Sequence, residues 1–258
     1  MSLVILFFAA SASADISLVK PIDLKLKDAQ QVLLGAAQPG QTVEIIVTNQ
    51  RGYADTIWSR AALVSLPTDW KGVDAVKKEK TLVLALTIPK NASQGTYSFT
   101  VAVSNPEEGF GSESFNAKLE VRNSLIKAGI STLAEDVSIG DNAKFGLIIS
   151  NESIAAHRVL VDSTLSNKLF APFEAVIPAG QTIEEELVVT PAYSGEKSFS
   201  FNIYSRENDS LLASFNARLK ARPSLKGEFA SALNGYPFFS PGLLPFQLLN
   251  SFLSYFMQ

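Results

Sequence analysis

The chain has 258 residues, which is enough for two small domains with a core each, and a formal net charge of −3. Such a mild charge, without a clustered basic face, excludes the usual electrostatic basis for binding nucleic acid. The absence of cysteine excludes disulfides, thiolate catalysis and sulfur-ligated zinc, and in an exported protein it favours a prokaryotic envelope.

The first fourteen residues have the pattern of an export signal. Leu3–Ala10 is an uncharged apolar run that is too short to span a bilayer, and small residues follow before Asp15. No Lys or Arg precedes this run, so a start further upstream stays open. The pattern predicts a signal peptide at 1–14 and an exported protein on the cell surface or the extracellular side of a membrane. The alternative is a buried first strand.

An internal repeat organises the chain beyond this segment. Residues 115–122 read FNAKLEVR, and residues 215–222, one hundred positions later, read FNARLKAR. Gly95 and Gly195 each precede a strand-like run in the same register. A repeat at a fixed spacing indicates a tandem of two like domains, which we place at 18–122 and 123–224.

Both copies alternate apolar side chains with small or polar ones, which predicts strands with one buried face. Short strands between Gly, Pro, Asn and Ser turns predict an all-β fold of two antiparallel sandwiches, each of about a hundred residues. Glu185 breaks the alternation, so its strand enters the core only after that position. The inward-facing residues predicted for the later strands are Leu82, Leu84, Leu86, Ile88, Phe99, Val101, Val103, Phe115, Ala117, Leu119 and Val121 in the first copy, and Ile183, Leu187, Val189, Phe199, Phe201, Ile203, Phe215, Ala217, Leu219 and Ala221 in the second.

Several residues together resemble a known module. Leu66-Pro67, Trp70 and the run IPKNASQGTYSF at 88–99 resemble the immunoglobulin-like module associated with the carbohydrate-binding domains of α-galactosidases (NPCBM-associated), which recurs in archaeal and bacterial surface proteins. The second copy offers the similar run IPAGQTIEEELVVTP at 177–191 but lacks the tryptophan. The resemblance covers most of both domains. It implies non-catalytic, immunoglobulin-like spacer or accessory domains without an active site.

Three Asn-x-Ser triplets are candidate glycosylation sites. They begin at Asn91, Asn151 and Asn208, and each lies at a predicted turn or strand end, where a glycan is sterically possible. Triplets of this kind also arise by chance in loops that contain Asn and Ser. The sequence therefore predicts a glycoprotein on the condition that the protein is exported.

The two tryptophans have two interpretations. Exposed aromatic rings stack on pyranose rings in sugar-binding sandwiches, which makes Trp58 and Trp70, with Tyr53 nearby, candidate glycan contacts. Trp58 lies in an alternating run, and the resemblance makes Trp70 a packing residue at the sheet edge. We expect packing for both residues, with glycan contact as the alternative.

No set of residues predicts catalysis, a cofactor or a metal site. His157 is the only histidine, and we expect it on the surface rather than in a triad with Asp162 and Ser163. The acidic residues between Glu135 and Asp141 do not have the spacing of a calcium loop. The sequence predicts that this protein is not an enzyme.

The tail from 228 to 258 has no charged side chain after Glu228. Three prolines interrupt it up to Pro245, and beyond them we predict a short hydrophobic helix. Twelve helical residues rise about 18 Å, well short of the roughly 30 Å of a bilayer core, so a spanning anchor is marginal. The residues predicted to contact a membrane or another subunit are Phe246, Leu249, Phe252, Leu253 and Phe256.

Four roles for this tail stay open: a short membrane anchor, an assembly element, a cap on the second domain, or a disordered segment. The first two give the protein a membrane or another envelope protein as its partner, or a second copy of itself. The sequence as a whole predicts a non-catalytic, exported stalk, adhesion or assembly module. The alternative is a carbohydrate-binding accessory protein.

Overall fold

The computed structural model describes residues 15–27, 29–48, 58–78, 80–105 and 110–223. These residues form strands, turns and irregular segments, with no helix among them. The predicted signal peptide at 1–14 and the predicted tail at 228–258, including its helix and its five contact residues, lie outside the described residues. The chain divides into two units, one up to Asn123 together with Ser153–Ala155 and one from Ser124 to Glu152 and from Ala156 onward.

Among the described residues, nine strands form the first unit and eight form the second. The first unit contains β1 (Asp15–Lys20), β2 (Leu24–Lys27), β3 (Gln31–Ala37), β4 (Thr42–Thr48), β5 (Arg60–Val64), β6 (Lys71–Lys78), β7 (Thr81–Thr87), β8 (Gly95–Asn105) and β9 (Phe110–Val121). The second contains β10 (Ile126–Ile130), β11 (Ala134–Ser138), β12 (Ala143–Asn151), β13 (His157–Ser163), β14 (Phe173–Ile177), β15 (Thr182–Val189), β16 (Gly195–Ser205) and β17 (Leu211–Arg222).

In the first unit the strands follow the order β2-β1-β4-β7-β6-β5-β8-β9-β3. β6 pairs with β7 along most of its length and with β5 only at Ala61 and Ala75, so it bridges two layers. β1 pairs antiparallel with β4, whereas β3 pairs parallel with β9. The N-terminal strands of this unit are thus divided between two layers, since β1 joins the layer of β4 and β3 joins the layer of β9.

The second unit repeats this plan in two separate sheets, β10-β12-β15 and β11-β17-β16-β13-β14. Its beginning is divided in the same way, since β10 pairs antiparallel with β12 and β11 parallel with β17. Sheet neighbours that are not consecutive in the chain are typical of the Greek-key connections of immunoglobulin-like sandwiches. The predicted all-β tandem of immunoglobulin-like sandwiches is confirmed.

Each unit has its own hydrophobic core, built by the alternation seen in the sequence. Leu84 and Phe115 in the first core and Phe145 and Phe201 in the second have no exposed surface. Complete burial of a side chain of this size contributes about 1.5–3 kcal/mol. Two predicted inward residues, Phe215 and Ile183, are only partly buried and pack against the rim of the second core.

The units differ in the strand that follows the loop after β5 and after β13. In the first unit this strand, β6, pairs mainly with β7, whereas in the second it is β14 and pairs with β13. β15 therefore pairs with β12 alone within residues 110–223. Leu84 of β7 is buried opposite Ile45, whereas Glu185 of β15 is exposed opposite Leu147. The predicted break in the alternation at Glu185 lies on an open sheet edge.

Candidate functional site

A tight turn after β5 positions Trp70. The backbone N–H of Trp70 donates a hydrogen bond to the carbonyl oxygen of Pro67 at 3.2 Å. Asp69 completes the turn with a φ of 67°, in the left-handed region that Asp tolerates better than most residues. This geometry places the Trp70 ring against a ring of β8 and leaves 8% of the residue exposed.

The partner ring on β8 belongs to Tyr97. The ring centroids of Trp70 and Tyr97 lie 4.9 Å apart, and the planes are tilted by 42°. The phenolic hydroxyl of Tyr97 donates a hydrogen bond to the carbonyl oxygen of Ser93 at 2.8 Å, and Tyr97 is half-buried. The ring contact and the hydrogen bond hold Tyr97 in one orientation.

These two rings line an open groove in the first unit. Its volume is about 450 Å³, and the loops after β5 and β7 supply the rest of its lining. Asp69, Thr68 and Asn91 carry polar groups there and are exposed. The remaining lining residues are Pro67, Pro89 and Ala92. The groove thus combines an aromatic wall with a carboxylate, a hydroxyl and an amide, but it has no general acid–base pair.

The second unit has an aromatic residue where sequence reasoning found none. Phe170 lies one hundred positions after Trp70, and its ring packs 5.3 Å from that of Phe201 and 6.3 Å from that of Phe173. Lys197 takes the position of Tyr97, and the crevice there has a volume of only about 10 Å³. The spacing of one hundred is the signal that could have identified Phe170.

The structure separates the two tryptophans. Trp58 is completely buried in the first core, so neither face of its ring is available to a sugar. The interpretation of Trp58 as a glycan contact is therefore wrong, because the whole residue is buried in the core, and the expectation of packing holds. Trp70 also packs, but at the edge of the groove. Tyr53 lies outside the described residues.

The candidate glycosylation sites also differ. Asn151 is 1% exposed, and its Nδ2 donates hydrogen bonds of 3.0 Å to the carbonyl oxygens of Ile177 and Pro178. Ser153, in the same triplet, is equally buried, and its hydroxyl donates to Oε1 of Gln41 at 2.8 Å. The prediction of glycosylation at Asn151 is wrong for this folded structure, because the nitrogen that would be modified is buried and engaged.

The other two asparagines are more accessible. Asn91 is exposed in the turn after β7. Asn208 is partly exposed in the turn between β16 and β17, where its Oδ1 accepts a hydrogen bond from the Ser210 hydroxyl at 2.7 Å. Glycosylation at these two positions stays a prediction.

His157 is buried, so the expectation of a surface histidine is wrong. Only 1% of the residue is exposed, and its Nε2 lies 3.5 Å from Oε2 of Glu207. The other oxygen of Glu207 accepts a hydrogen bond from the backbone N–H of Arg158 at 3.1 Å. Burial lowers the pKa of His157, and the negative charge of Glu207 opposes this effect without cancelling it. The imidazole is therefore neutral at neutral pH.

The remaining candidates for chemistry have structural partners. Ser163 accepts a hydrogen bond from the backbone of Leu165 at 3.2 Å, and Asp162 accepts one from that of Ser163 at 2.7 Å. Asp136 forms an ion pair with Arg222 at 2.6 Å, and this hydrogen-bonded partner lowers the pKa of the carboxyl group. Within the described ranges, no three His, Asp or Glu side chains converge as metal ligands. No helix in these ranges is long and apolar enough to cross a bilayer.

No family model and no curated protein matches the chain. Solved structures are similar to it at low identity. A chimeric titin Z1Z2 carrying a decorin peptide matches with 13% identity over 82% of this chain and 98% of its own, with a TM-score of 0.40.

Two bacterial surface proteins are also similar to the chain. The Yersinia pseudotuberculosis adhesin InvE matches with 12% identity over 81% of this chain and 58% of its own, with a TM-score of 0.31. The D00-D0 domain of intimin matches with 9% identity over 78% and 98%, with a TM-score of 0.28. Likeness at this level is restricted to the fold, and we take no function from it.

Proposed function

We propose that the chain is a non-catalytic, exported surface protein whose two immunoglobulin-like sandwiches serve as a structural or adhesion module. The observation that carries this proposal is the duplication of one sandwich framework, each copy with its own core. Duplication of a framework multiplies the surface available for contact without bringing together the groups of a reaction centre. The protein therefore acts by contact and not by turnover.

The outer faces of both sandwiches support this role. Ion pairs lie across neighbouring strands, including Lys20 with Glu44 at 3.2 Å and Lys144 with Glu186 at 3.0 Å. Such exposed pairs contribute little to the free energy of unfolding, typically about 0–1 kcal/mol. Their main consequence is a hydrated surface, as a module that works in an aqueous exterior requires.

Membership of the NPCBM-associated modules belongs to the same proposal. The resemblance implies a packing role for Trp70, and the contact of Trp70 with Tyr97 supports that role. In the second copy Phe170 packs into the core after the corresponding loop. An aromatic side chain thus follows this loop in both copies, although the residue type differs.

The predicted tail supplies the attachment. Its apolar residues from Phe246 to Phe256 contact a membrane or another envelope subunit, including a second copy of the chain, while the sandwiches remain in water. An uncharged surface of this kind requires a covering partner, because exposed apolar patches cause aggregation.

Membrane flotation tests this proposal. The full-length protein is compared with a chain that ends at Lys226, and both are then measured by light scattering in mild detergent. We expect the full-length protein to float with lipid or to form a defined oligomer, and the shortened protein to be a lipid-free monomer. If both are lipid-free monomers, the proposed attachment is wrong.

Tail variants refine the experiment. Phe252→Ser with Phe256→Ser removes predicted contacts, whereas Asn250→Ala with Ser254→Ala changes two polar residues of the same segment. We expect only the first pair of changes to abolish flotation or oligomer formation. Equal losses in both variants would argue against a directed apolar contact.

A further inference from the structure

The groove beside Trp70 and Tyr97 is larger than packing of these two rings requires. We propose that it binds a neutral saccharide about the size of a disaccharide. This inference does not depend on export or on the predicted tail, because every residue that lines the groove belongs to the first sandwich.

Size and wall chemistry are the first argument. The groove volume of about 450 Å³ falls within the roughly 300–1,000 Å³ of small-molecule sites. Tyr97 is the more exposed of the two aromatic residues, and its ring centroid lies 4.9 Å from that of Trp70. A pyranose has an apolar face of C–H groups that suits the electron-rich face of an aromatic ring. Because the Ser93 carbonyl holds the Tyr97 hydroxyl, the ring loses little freedom when a ligand binds.

The polar rim is the second argument. Asp69, Thr68 and Asn91 surround the aromatic wall and are exposed. A carboxylate accepts hydrogen bonds from sugar hydroxyl groups, and the side-chain amide of an unglycosylated Asn91 both donates and accepts. An apolar wall with a few polar groups at its rim is the usual composition of a ligand site. The negative charge of Asp69 favours neutral sugars over sugar acids.

The second sandwich is the third argument, because the same framework has only a small crevice at the corresponding strand position. Five residues separate Pro89 from Gly95, but only three separate Pro191 from Gly195. Phe170 is turned into the core, Lys197 replaces Tyr97, and the crevice beside Lys197 has about 10 Å³ of space. The sandwich therefore folds without these features, and their presence in one copy indicates a role in binding.

A proline-rich peptide is the competing occupant, since grooves lined by Trp, Tyr and Pro receive such segments. A proline-rich segment has few backbone N–H donors for the oxygens of Asp69 and Asn91, because each proline lacks one. A saccharide carries hydroxyl groups on every ring and satisfies these acceptors. The rim therefore favours the saccharide.

Saturation-transfer NMR on the full-length protein tests the proposal. The probes are cellobiose, maltose, lactose and N,N′-diacetylchitobiose at millimolar concentration, together with a proline-rich decapeptide. We expect transfer to at least one disaccharide. Transfer to none of them, or to the peptide alone, would overturn the proposal.

Four variants locate the site. Tyr97→Ala raises the Kd roughly fivefold or more through loss of the stacking ring, whereas Tyr97→Phe keeps the ring and most of the affinity. Asp69→Asn keeps the left-handed turn and weakens binding by a smaller factor. The matched control is Tyr193→Ala, which removes a 60% exposed ring from the corresponding loop of the second sandwich and leaves binding unchanged.

Folding of each variant is checked by circular dichroism. If Tyr97→Ala does not fold, Tyr97→Lys takes its place, because Lys197 shows that the framework accepts lysine at this position. Binding that persists unchanged in the folded Tyr97 variant, or that is lost in Tyr193→Ala, would overturn the proposal.

Discussion

In the first sandwich β7 lies between β4 and β6, whereas in the second sandwich the corresponding β15 pairs only with β12 within residues 110–223. The cause is the strand that follows the loop after β5 or β13, since β6 joins β7 but β14 joins β13. The sheet that this one strand joins therefore decides whether the edge of β7 or β15 is covered.

The side chains at the two edges follow this difference. Leu84 and Glu185 occupy corresponding inward positions, and only the leucine is buried. An inward-pointing charge on an open edge strand discourages pairing with another chain. An apparent defect in the alternation thus marks the edge where a sandwich must avoid association.

Leu84→Glu should strongly destabilise the first sandwich. Leu84 has no exposed surface, so the carboxylate would be buried without a partner, and we expect the free energy of unfolding to fall by about 4 kcal/mol or more. Urea unfolding followed by tryptophan fluorescence measures this, because Trp58 and Trp70 both lie in the first sandwich. An unchanged midpoint would show that β7 is not covered as described.

Phe170→Ala tests the aromatic packing of the second sandwich. The change removes a 6% exposed ring and its contact with Phe201, which should cost about 3–4 kcal/mol. Circular dichroism should show an earlier transition, whereas the tryptophan fluorescence transition should stay in place. Trp70→Phe is the matched change in the first sandwich, and we expect a smaller loss, because Phe170 shows that phenylalanine fits after this loop.

Asn151→Ala and Asn91→Ala compare a buried Asn-x-Ser triplet with an exposed one. The first change removes the donor to two carbonyl oxygens, one of them on the buried Ile177, and should cost about 2 kcal/mol, as measured by urea unfolding. Asn91→Ala lies in an exposed turn and should stay within about 0.5 kcal/mol. Equal effects at the two positions would contradict the assigned burial.

The free energy of unfolding of the second sandwich should depend on pH because His157 titrates differently in the folded and unfolded chains. Burial lowers the folded pKa below the ordinary 6.5, so the unfolded chain binds a proton that the folded chain does not. Stability is then fully present above pH 6.5 and is lost as the pH falls from there toward the folded pKa, by at most about 1.4 kcal/mol per pH unit.

A series of unfolding curves by circular dichroism, on the wild type and on His157→Gln, measures this slope. We expect the substitution to flatten the stability curve in the window just below pH 6.5. Glu207 faces the imidazole, and its second oxygen accepts a hydrogen bond from the backbone of Arg158. This glutamate is unchanged in both proteins, so the two curves differ only in residue 157. A slope that survives the substitution would assign the dependence to another group.

Glu185→Leu tests the open edge itself and should have the smallest effect on stability, within about 1 kcal/mol. Its main consequence should be association through β15, because the inward charge that opposes strand pairing is gone. Light scattering across a concentration series measures this. Glu184→Leu changes the neighbouring exposed position on the other face and should associate less.

Much of the fold was predictable because its causes are local. Strand side chains alternate with a period of two, so residues such as Val101, Phe115 and Leu219 could be assigned to a core before their partners were known. The repeat at 115–122 and 215–222 predicted two like sandwiches for the same reason. The aromatic wall of the groove was partly visible, since Trp70 was singled out, but Tyr97 was seen only as a strand residue.

By itself, the sequence determined the strands, their buried faces and the number of sandwiches, since these follow from side-chain alternation and repetition along the chain. Only the tertiary structure decided that β6 and β14 join different sheets, that His157 and Asn151 are covered, and that a groove opens beside Tyr97. The physical reason is that burial and open space depend on which distant strands and loops cover a residue, and a residue's own neighbours in the chain do not carry that information.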